Sequence, residues 1–584
     1  MGTAPFPDGR SKDMQVTGLR HLIRVARGAI PADLVLKGGK VIDVFSGCVR
    51  KADVAVVGER IAGLGSYEGK TVMDCRGRFI SPGFIDGHCH LESSLLTPRR
   101  LAPLLIASGT TSVVADPHEL ANVKGLEGIR FLLRDSARLP LSIFFTAPSC
   151  VPASPLETSG AVLTEEALRP FSRHPRFLGL GEVMNFPGLL RGDEEVLQKI
   201  LAFRGRIKDG HAPLLSGKDL CAYVAAGIAS DHECTRLAEA REKLALGQRI
   251  MIRQGSQAKN LKALLPLVNP AAARRCLLVS DDVSPEDLLA KGHLNAVLKE
   301  AVAMGVDPIT ALRMVTLNPA EYFGLLDRGA VAPGYVADLV VLKDLNRFEV
   351  ETVFCKGKLA AREGAYAGRS APSRPSPSLT SMHIKDLWPE RFQIRPQGRR
   401  ARVIELLPGQ ILTRSVFRKV RRRRGQPYLP QEPDLSLLAV VERHHGTGNI
   451  GLAWVSGFGP LRGALGSSVA HDSHNIIATG DDPADIHLAV RTIEASQGGL
   501  AVSARGKVLA HLPLPIGGLM TDESAEEVIS ARKALARAAA EVGCAIPNPF
   551  MALSFLALPV IPELKLTDRG LVDVNRFSFV PLFD

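Results

Sequence analysis

Two hydrophobic rhythms alternate along the chain. From residue 32 to 65, ADLVLKGGKVIDVFSGCVRKADVAVVGERIAGLG alternates apolar and polar residues with Gly-containing turns, which predicts short antiparallel strands. The same rhythm returns from residue 329 to 360, in GAVAPGYVADLVVLKDLNRFEVETVFCKGKLA, so the two pieces are expected to meet in one composite sheet. Between them, short apolar runs alternate with helical patterns such as GKDLCAYVAAG and CTRLAEAREKLALG, the mark of a parallel β/α architecture. Eight such runs occur: FISPGFIDGH, TTSVVADP, LSIFFTAP, FLGLGEV, RIKDGHAP, IASDHE, RIMIRQG and CLLVSDD. Eight units over roughly 250 residues is the size of a TIM barrel.

The segment AGRSAPSRPSPSLTS, rich in Pro, Ser and Ala, reads as a linker. The predicted organisation is therefore an N-terminal segment with the first β piece (1–79), a barrel (80–327), the second β piece (328–374) and a separate domain (375–584). The fold class is α/β, a (β/α)8 TIM-like barrel with a composite flanking β-domain and an additional C-terminal α+β domain. A chain of 584 residues is long enough for such a division.

Composition narrows the class without changing the picture. Hydrophobic residues make up 46% and charged residues 23%, as in ordinary globular protein. No run reaches the ~20 apolar residues of a membrane span, and MGTAPFPDGRSKDMQ lacks a signal-peptide core, so a cytoplasmic protein with no membrane partner is expected. The nine cysteines are scattered without a CxxC pair, which fits reduced thiols. The net charge of +12 gathers partly in Arg399, Arg400 and Arg402 and in Arg418, Lys419 and Arg421 to Arg424. With no aromatics interleaved in the RRRR run to stack bases, this reads as a solvated face rather than a nucleic-acid site.

Candidate chemistry falls at the ends of the predicted strands, where barrel enzymes build their sites. The first run ends in His88 and His90, the second in Asp116 and His118, the fourth in Glu182, the fifth in His211, the sixth in His232 and the eighth in Asp281. The i, i+2 spacing of His88 and His90 puts both imidazoles on one side of an extended strand, where they can grip one ion. Taken singly, His211 and His232 would be hydrogen-bonded structural histidines; their place after successive strands favours ligation. Glu182 has a rival reading as a buried carboxylate paired with a cation. Asp281 is assigned to metal, with Asp282 or Ser284 capping the helix that begins at SPEDLL. A donor set of imidazole and carboxylate without thiolate suits manganese, iron, cobalt or zinc.

PGFIDGHCH, a strand-end carboxylate, two separate strand-end histidines and a terminal strand-end Asp resemble the amidohydrolase superfamily over roughly residues 30 to 370. Within it, GHCHLESS, TTSVVADPHE, GEVMN, DGHAPLLSG, GIASDHE and VSDD, and GSSVAHDSHNII further on, resemble the adenine deaminases. The resemblance implies two bridged divalent metals, Mn2+ or Fe2+ first, on His88, His90, Glu182, His211, His232 and Asp281. It also implies hydrolysis of adenine, a small-molecule purine base, to hypoxanthine and ammonia in purine salvage, by a homo-oligomer, a dimer. Many binuclear relatives bridge their metals with a carboxylated lysine on the fourth strand. FLGLGEVMN contains no Lys, so Glu182 would bridge instead. The other class of zinc nucleobase deaminases needs PCxxC after HxE, and no PCxxC follows His90-Leu91-Glu92.

On this reading the two ions lower the pKa of a shared water from 15.7 towards ~7. Asp281 is the base and proton shuttle, and Glu233, favoured over Glu119, protonates a ring nitrogen. Asp116, His118 and Glu119 would bind substrate or a further metal, with a simple turn as the rival for Asp116-Pro117. Glu92 and Ser93 point toward the same mouth, with helix capping as the rival for Ser93 or Ser94. In the C-terminal domain, His444-His445 and the His471–Asn475 cluster lie among glycines. A loop carrying His474 over the barrel mouth is the expectation, against a self-contained structural cluster. The rival functions are hydrolysis of a cyclic amide or another aminated ring, and a non-catalytic metal-binding or nucleic-acid-binding scaffold.

Overall fold

All eight apolar runs become barrel strands in the computed structural model, which describes residues 12–368, 379–408, 410–423, 426–430 and 432–584. They are β1 (Phe84–Cys89), β2 (Thr110–Ala115), β3 (Ser142–Ala147), β4 (Phe177–Val183), β5 (Ile207–Gly210), β6 (Ser230–Asp231), β7 (Arg249–Arg253) and β8 (Cys276–Val279). Parallel ladders join β1 to β5 in order, and β6 to β8. Ala229 N–H to Lys208 O, 2.9 Å, bridges the two groups on one side. On the other, His90 N–H to Asp281 O and Asp281 N–H to His88 O, both 3.0 Å, close the ring.

Side chains alternate across a strand, and the two resulting faces pack separately. Ile85, Val114, Phe144, Leu178, Ile207, Ala229, Met251 and Leu277, one from each run, cluster with Tyr322 and Phe323. Their alternates Val113, Ile143, Phe145, Ile250, Ile252 and Leu278 join the helix-facing core. Burying both faces of every strand explains why these runs read as continuous apolar stretches.

The composite flanking sheet forms as expected. Phe79–Pro82 is its centre, parallel to Ala32–Asp43 and antiparallel to Leu339–Leu342. Two expectations change here. The run FISPGFIDGH is two strands, one in each domain, divided at Gly83, whose N–H bonds Asp338 O at 2.8 Å. A Cβ there would sit 2.1 Å from Thr111 Oγ1, so the crossing needs glycine. The N-terminal piece is also mixed rather than antiparallel, because Gly69–Asp74 pairs with Ala32–Asp43 in parallel. Most of the Pro/Ser-rich linker and Arg424 lie outside the described residues.

Beyond the linker, an eight-stranded sheet is covered by helix Pro483–Ala495, whose Ile486, Ala489, Val490 and Ile493 pack on Ala439, Val441, Ile476 and Ala478. The loop between strands Ala464–Ser467 and Ile476–Gly480 leaves this sheet toward the barrel mouth. Its Asn475 Nδ2 donates to Thr158 O at 2.7 Å. No described helix is long and apolar enough to cross a membrane.

Candidate active site and metal centre

Every strand-end group predicted to bind metal arrives in one buried cluster at the C-terminal end of the barrel. Glu182, at the end of β4, stands in its middle. Its Oε1 lies 3.0 Å from His90 Nε2 and 3.6 Å from His88 Nε2, while its Oε2 lies 2.9 Å from His211 Nδ1 and 3.5 Å from His232 Nε2. Asp281 Oδ1 is 3.3 Å from both His88 Nε2 and His90 Nε2. Ligand atoms of His88, His90 and Glu182, of His88, His232 and Asp281, and of Glu182, His211 and His232 each fall within the spacing one ion requires.

The electrostatics of this cluster are those of anions crowded with imidazoles. Burial pushes the Glu182 carboxyl up, but His90, His232, His118 and His211 outweigh it and hold it well below the usual range. Burial likewise opposes protonation of His90, yet Glu182 and Asp281 raise it well above its ordinary value. His211 is raised to about 8 by Glu233 and Glu182 against the cost of burial. His232, buried beside His88, is lowered instead. Imidazoles and carboxylates crowded in this way ligate a divalent ion in their deprotonated forms, so metal binding here would be coupled to proton release. Buried atoms point the same way: His88 Nε2, Glu182 Oε1 and His118 Nδ1 have no hydrogen-bond partner among the described residues. Structural carboxylates seldom leave oxygens unsatisfied, so the donor set fits metal.

Around the cluster, Asp116 follows β2 with both carboxylate oxygens buried and unpartnered. The turn reading does not explain that. Gly181 makes room for it, since a Cβ there would meet Asp116 Oδ2 at 1.9 Å. His118 Nδ1 lies 3.5 Å from Asp116 Oδ1 and 3.6 Å from Glu182 Oε1, at the rim of the cluster. Glu92 Oε1 accepts the Leu120 N–H at 3.2 Å, and its Oε2 is buried without a partner. Burial and the neighbouring Glu119 push the Glu92 carboxyl up to about 7. Ser93 donates to Asp282, so neither caps a helix; Ser284 does, accepting Asp287 N–H at 3.3 Å.

Sequence reasoning missed Arg253, at the end of β7. Its guanidinium grips Glu233 through two nitrogens and reaches Asp281 Oδ2 at 3.0 Å. Applied to every polar residue, the strand-end rule would have found it. The C-terminal domain also contributes more than His474: His471 Nδ1 lies 3.2 Å from Glu119 Oε1, and Asp472 is buried with Oδ2 unpartnered. His474 Nε2 stands 4.0 Å from Glu119 Oε2.

The sequence model of the amidohydrolase family matches residues 79–360, which places the barrel in the amidohydrolase class. Members of that class generally bind a divalent metal. A second model, the adenine deaminase C-terminal domain, matches residues 410–578. The adenine deaminase of Desulfatibacillum aliphaticivorans is 50% identical over 566 residues, covering 97% of this chain and 99% of its own. Adenine deaminase 2 of Carboxydothermus hydrogenoformans is 48% identical over 565 residues, with 97% and 99% covered. The adenine deaminase of Methanothrix thermoacetophila is 44% identical over 568 residues, again with 97% and 99% covered. The chain belongs to the adenine deaminase family.

Proposed function

We propose that this protein hydrolyses adenine to hypoxanthine and ammonia at the barrel mouth, using two divalent ions, manganese or iron. The observation that carries the metal part is the orientation of Glu182, one oxygen toward His88 and His90, the other toward His211 and His232. In this reading His88, His90, Asp281, His211 and His232 would hold the ions, with Glu182 offering one oxygen toward each histidine pair. The bound ions supply Lewis acidity, which makes a water acidic enough to lose a proton near neutral pH.

The remaining steps belong to side chains. Water adds to C6 as a carboxyl protonates the neighbouring ring nitrogen; the C6–N6 bond breaks, ammonia leaves, and the C6 hydroxyl returns its proton to that carboxylate as the carbonyl forms. Asp281 accepts the water proton and passes it to the departing amine; Arg253 on its Oδ2 fixes its orientation, and its left-handed backbone, φ 62°, is a strain the surrounding structure must hold. The ring-protonating acid is better assigned to Glu92 than to Glu233. Glu233 has both oxygens on Arg253, which lowers its carboxyl despite burial, whereas Glu92 has a buried oxygen left to share a proton. Asp116, His118 and Glu119 bind the base. The nine free cysteines fit a reducing compartment, read here as the cytoplasm, and the role that conversion of adenine to hypoxanthine would serve is purine salvage.

The test is an ultraviolet assay of adenine conversion with ammonia measured in parallel, on protein loaded with manganese or ferrous iron. Equal amounts of hypoxanthine and ammonia are expected. Metal-loaded protein that leaves adenine intact while hydrolysing a cyclic amide would replace this reading with the rival one.

A further inference from the structure

His474 lies fully buried in the loop that the C-terminal domain sends to the barrel mouth, and its backbone is left-handed, φ 54°. A non-glycine residue stays in that conformation only where its surroundings impose it. Here they do. The buried guanidinium of Arg443 donates from Nε to His474 O and from Nη2 to Gly517 O at 3.1 Å. His474 N–H bonds Ala470 O at 2.7 Å, and the His444 ring nitrogen Nε2 bonds Ser473 O, also at 2.7 Å. These bonds fix the backbone from which the side chain projects, and its ring nitrogens set the partner it can meet.

The ring's own hydrogen bonds say what kind. His474 Nδ1 accepts the Ala470 N–H at 3.1 Å. A neutral imidazole has one acceptor and one donor nitrogen, so Nε2 carries the proton. Burial, with His471 and Arg443 nearby, outweighs the facing Glu119 carboxylate and holds the imidazole well below its ordinary value, which favours the neutral ring. Glu119, His471 and His474 lie within metal-binding spacing, but a protonated Nε2 has no lone pair for a metal. It is a donor, and it is buried with no partner among the described residues. Its nearest carboxylate oxygen, Glu119 Oε2, is 4.0 Å away, too far for a hydrogen bond. Glu119 Oε1 is already occupied by His471 Nδ1 at 3.2 Å.

We propose that His474 donates its Nε2–H to a ring nitrogen lone pair of the purine base, making the C-terminal domain a specificity element of the barrel's active site. The free oxygen of Glu119 then faces a ring N–H beside that lone pair. Purines present such a pair with one carbon between the two nitrogens, close enough for a donor and an acceptor 4.0 Å apart to engage both. A site that hydrogen-bonds a substrate nitrogen discriminates strongly against analogues lacking it, because its buried donor is then left unpaired. The inference rests on the adenine reading above, and its test is arranged to be read separately.

His474→Phe and His474→Gln, both loaded with manganese, are compared with the wild type on three readouts: metal content, steady-state kinetics with adenine, and calorimetric binding of hypoxanthine. The expected result is unchanged metal content, a KM for adenine and a Kd for hypoxanthine each raised about tenfold to a hundredfold in His474→Phe, and most of that recovered in His474→Gln, which keeps a donor. Wild-type KM and Kd in His474→Phe would overturn the proposal. So would equal losses in both variants accompanied by lost metal, which would mark a purely structural residue. The hypoxanthine measurement decides the matter even if the wild type fails to turn over adenine, a failure that would count against the proposed reaction alone.

Discussion

The two ends of the barrel bury charge in opposite ways. Near the N-terminal ends of the strands, Arg328 Nη1 lies 2.9 Å from Asp338 Oδ2 and 3.2 Å from Ser142 Oγ, and Asp338 Oδ1 accepts Lys356 N–H at 2.7 Å. Both side chains are enclosed, and neither appears among the buried groups left without a partner. At the C-terminal ends, His88, Asp116, His118 and Glu182 are as deeply buried, yet each keeps a polar atom with no hydrogen bond, its charged neighbours standing 3.0–3.6 Å away. Burying a polar group without a partner costs about 1–3 kcal/mol. A fold that pays off this cost at one end and retains it at the other is holding the second end ready for ligands, as barrel enzymes do.

The comparison breaks most visibly at Asp281. Asp281→Asn should lower kcat for adenine about 10²–10⁴-fold in protein that remains folded. A loss below tenfold in steady-state assays would remove its role as base. The opposite end should respond in stability instead: Arg328→Met leaves Asp338 buried without its cation and should cost about 3–5 kcal/mol. Thermal unfolding measures that loss, while metal content and kcat of the folded fraction stay at wild-type values. Lost metal in Arg328→Met would mean the two ends are not separate.

A third buried charge sharpens the contrast, because it has only carbonyl partners. Lys565 Nζ bonds Ile411 O and Phe555 O at 2.9 and 3.0 Å, and burial pushes its ammonium down to about 7. Unfolded, it titrates near 10.5, so between those values the unfolded chain binds more protons and stability rises with pH. The contribution is flat below about 7 and is limited to about 1.4 kcal/mol per pH unit within the window. Lys565→Met should flatten that part of the unfolding profile between pH 7 and 9; an identical slope in both proteins would contradict it. The smallest effect belongs to the surface: the exposed Arg421→Ser should change stability by less than about 0.5 kcal/mol and leave turnover alone, checked by thermal unfolding and the adenine assay.

Local pattern carried the barrel and the first corner of its site. Strand runs buried on both faces and polar residues stopping at their ends are properties of short segments, and they placed His88, His90, Glu182, His211, His232 and Asp281 together. What depends on distant partners was harder to read. FISPGFIDGH looks like one strand, since nothing local marks Gly83 as the crossing between two sheets. Arg253 escapes a strand-end rule confined to histidines and carboxylates. The loop at His471 to His474 was expected over the mouth, but its facing partner Glu119 lies some 350 residues earlier, beyond what periodicity reports. Glu233 reads as the acid because it follows His232; its contact with Arg253, which the sequence does not reveal, is what favours Glu92 for that role.

The most direct test of the account is metal stoichiometry in Glu182→Gln against the wild type, with both proteins stripped and reloaded with manganese and the adenine rate followed as metal is added. The wild type should hold two ions tightly with full activity, and Glu182→Gln at most one, losing activity in step. Two ions held as tightly in Glu182→Gln, with adenine still converted at the wild-type rate, would contradict it.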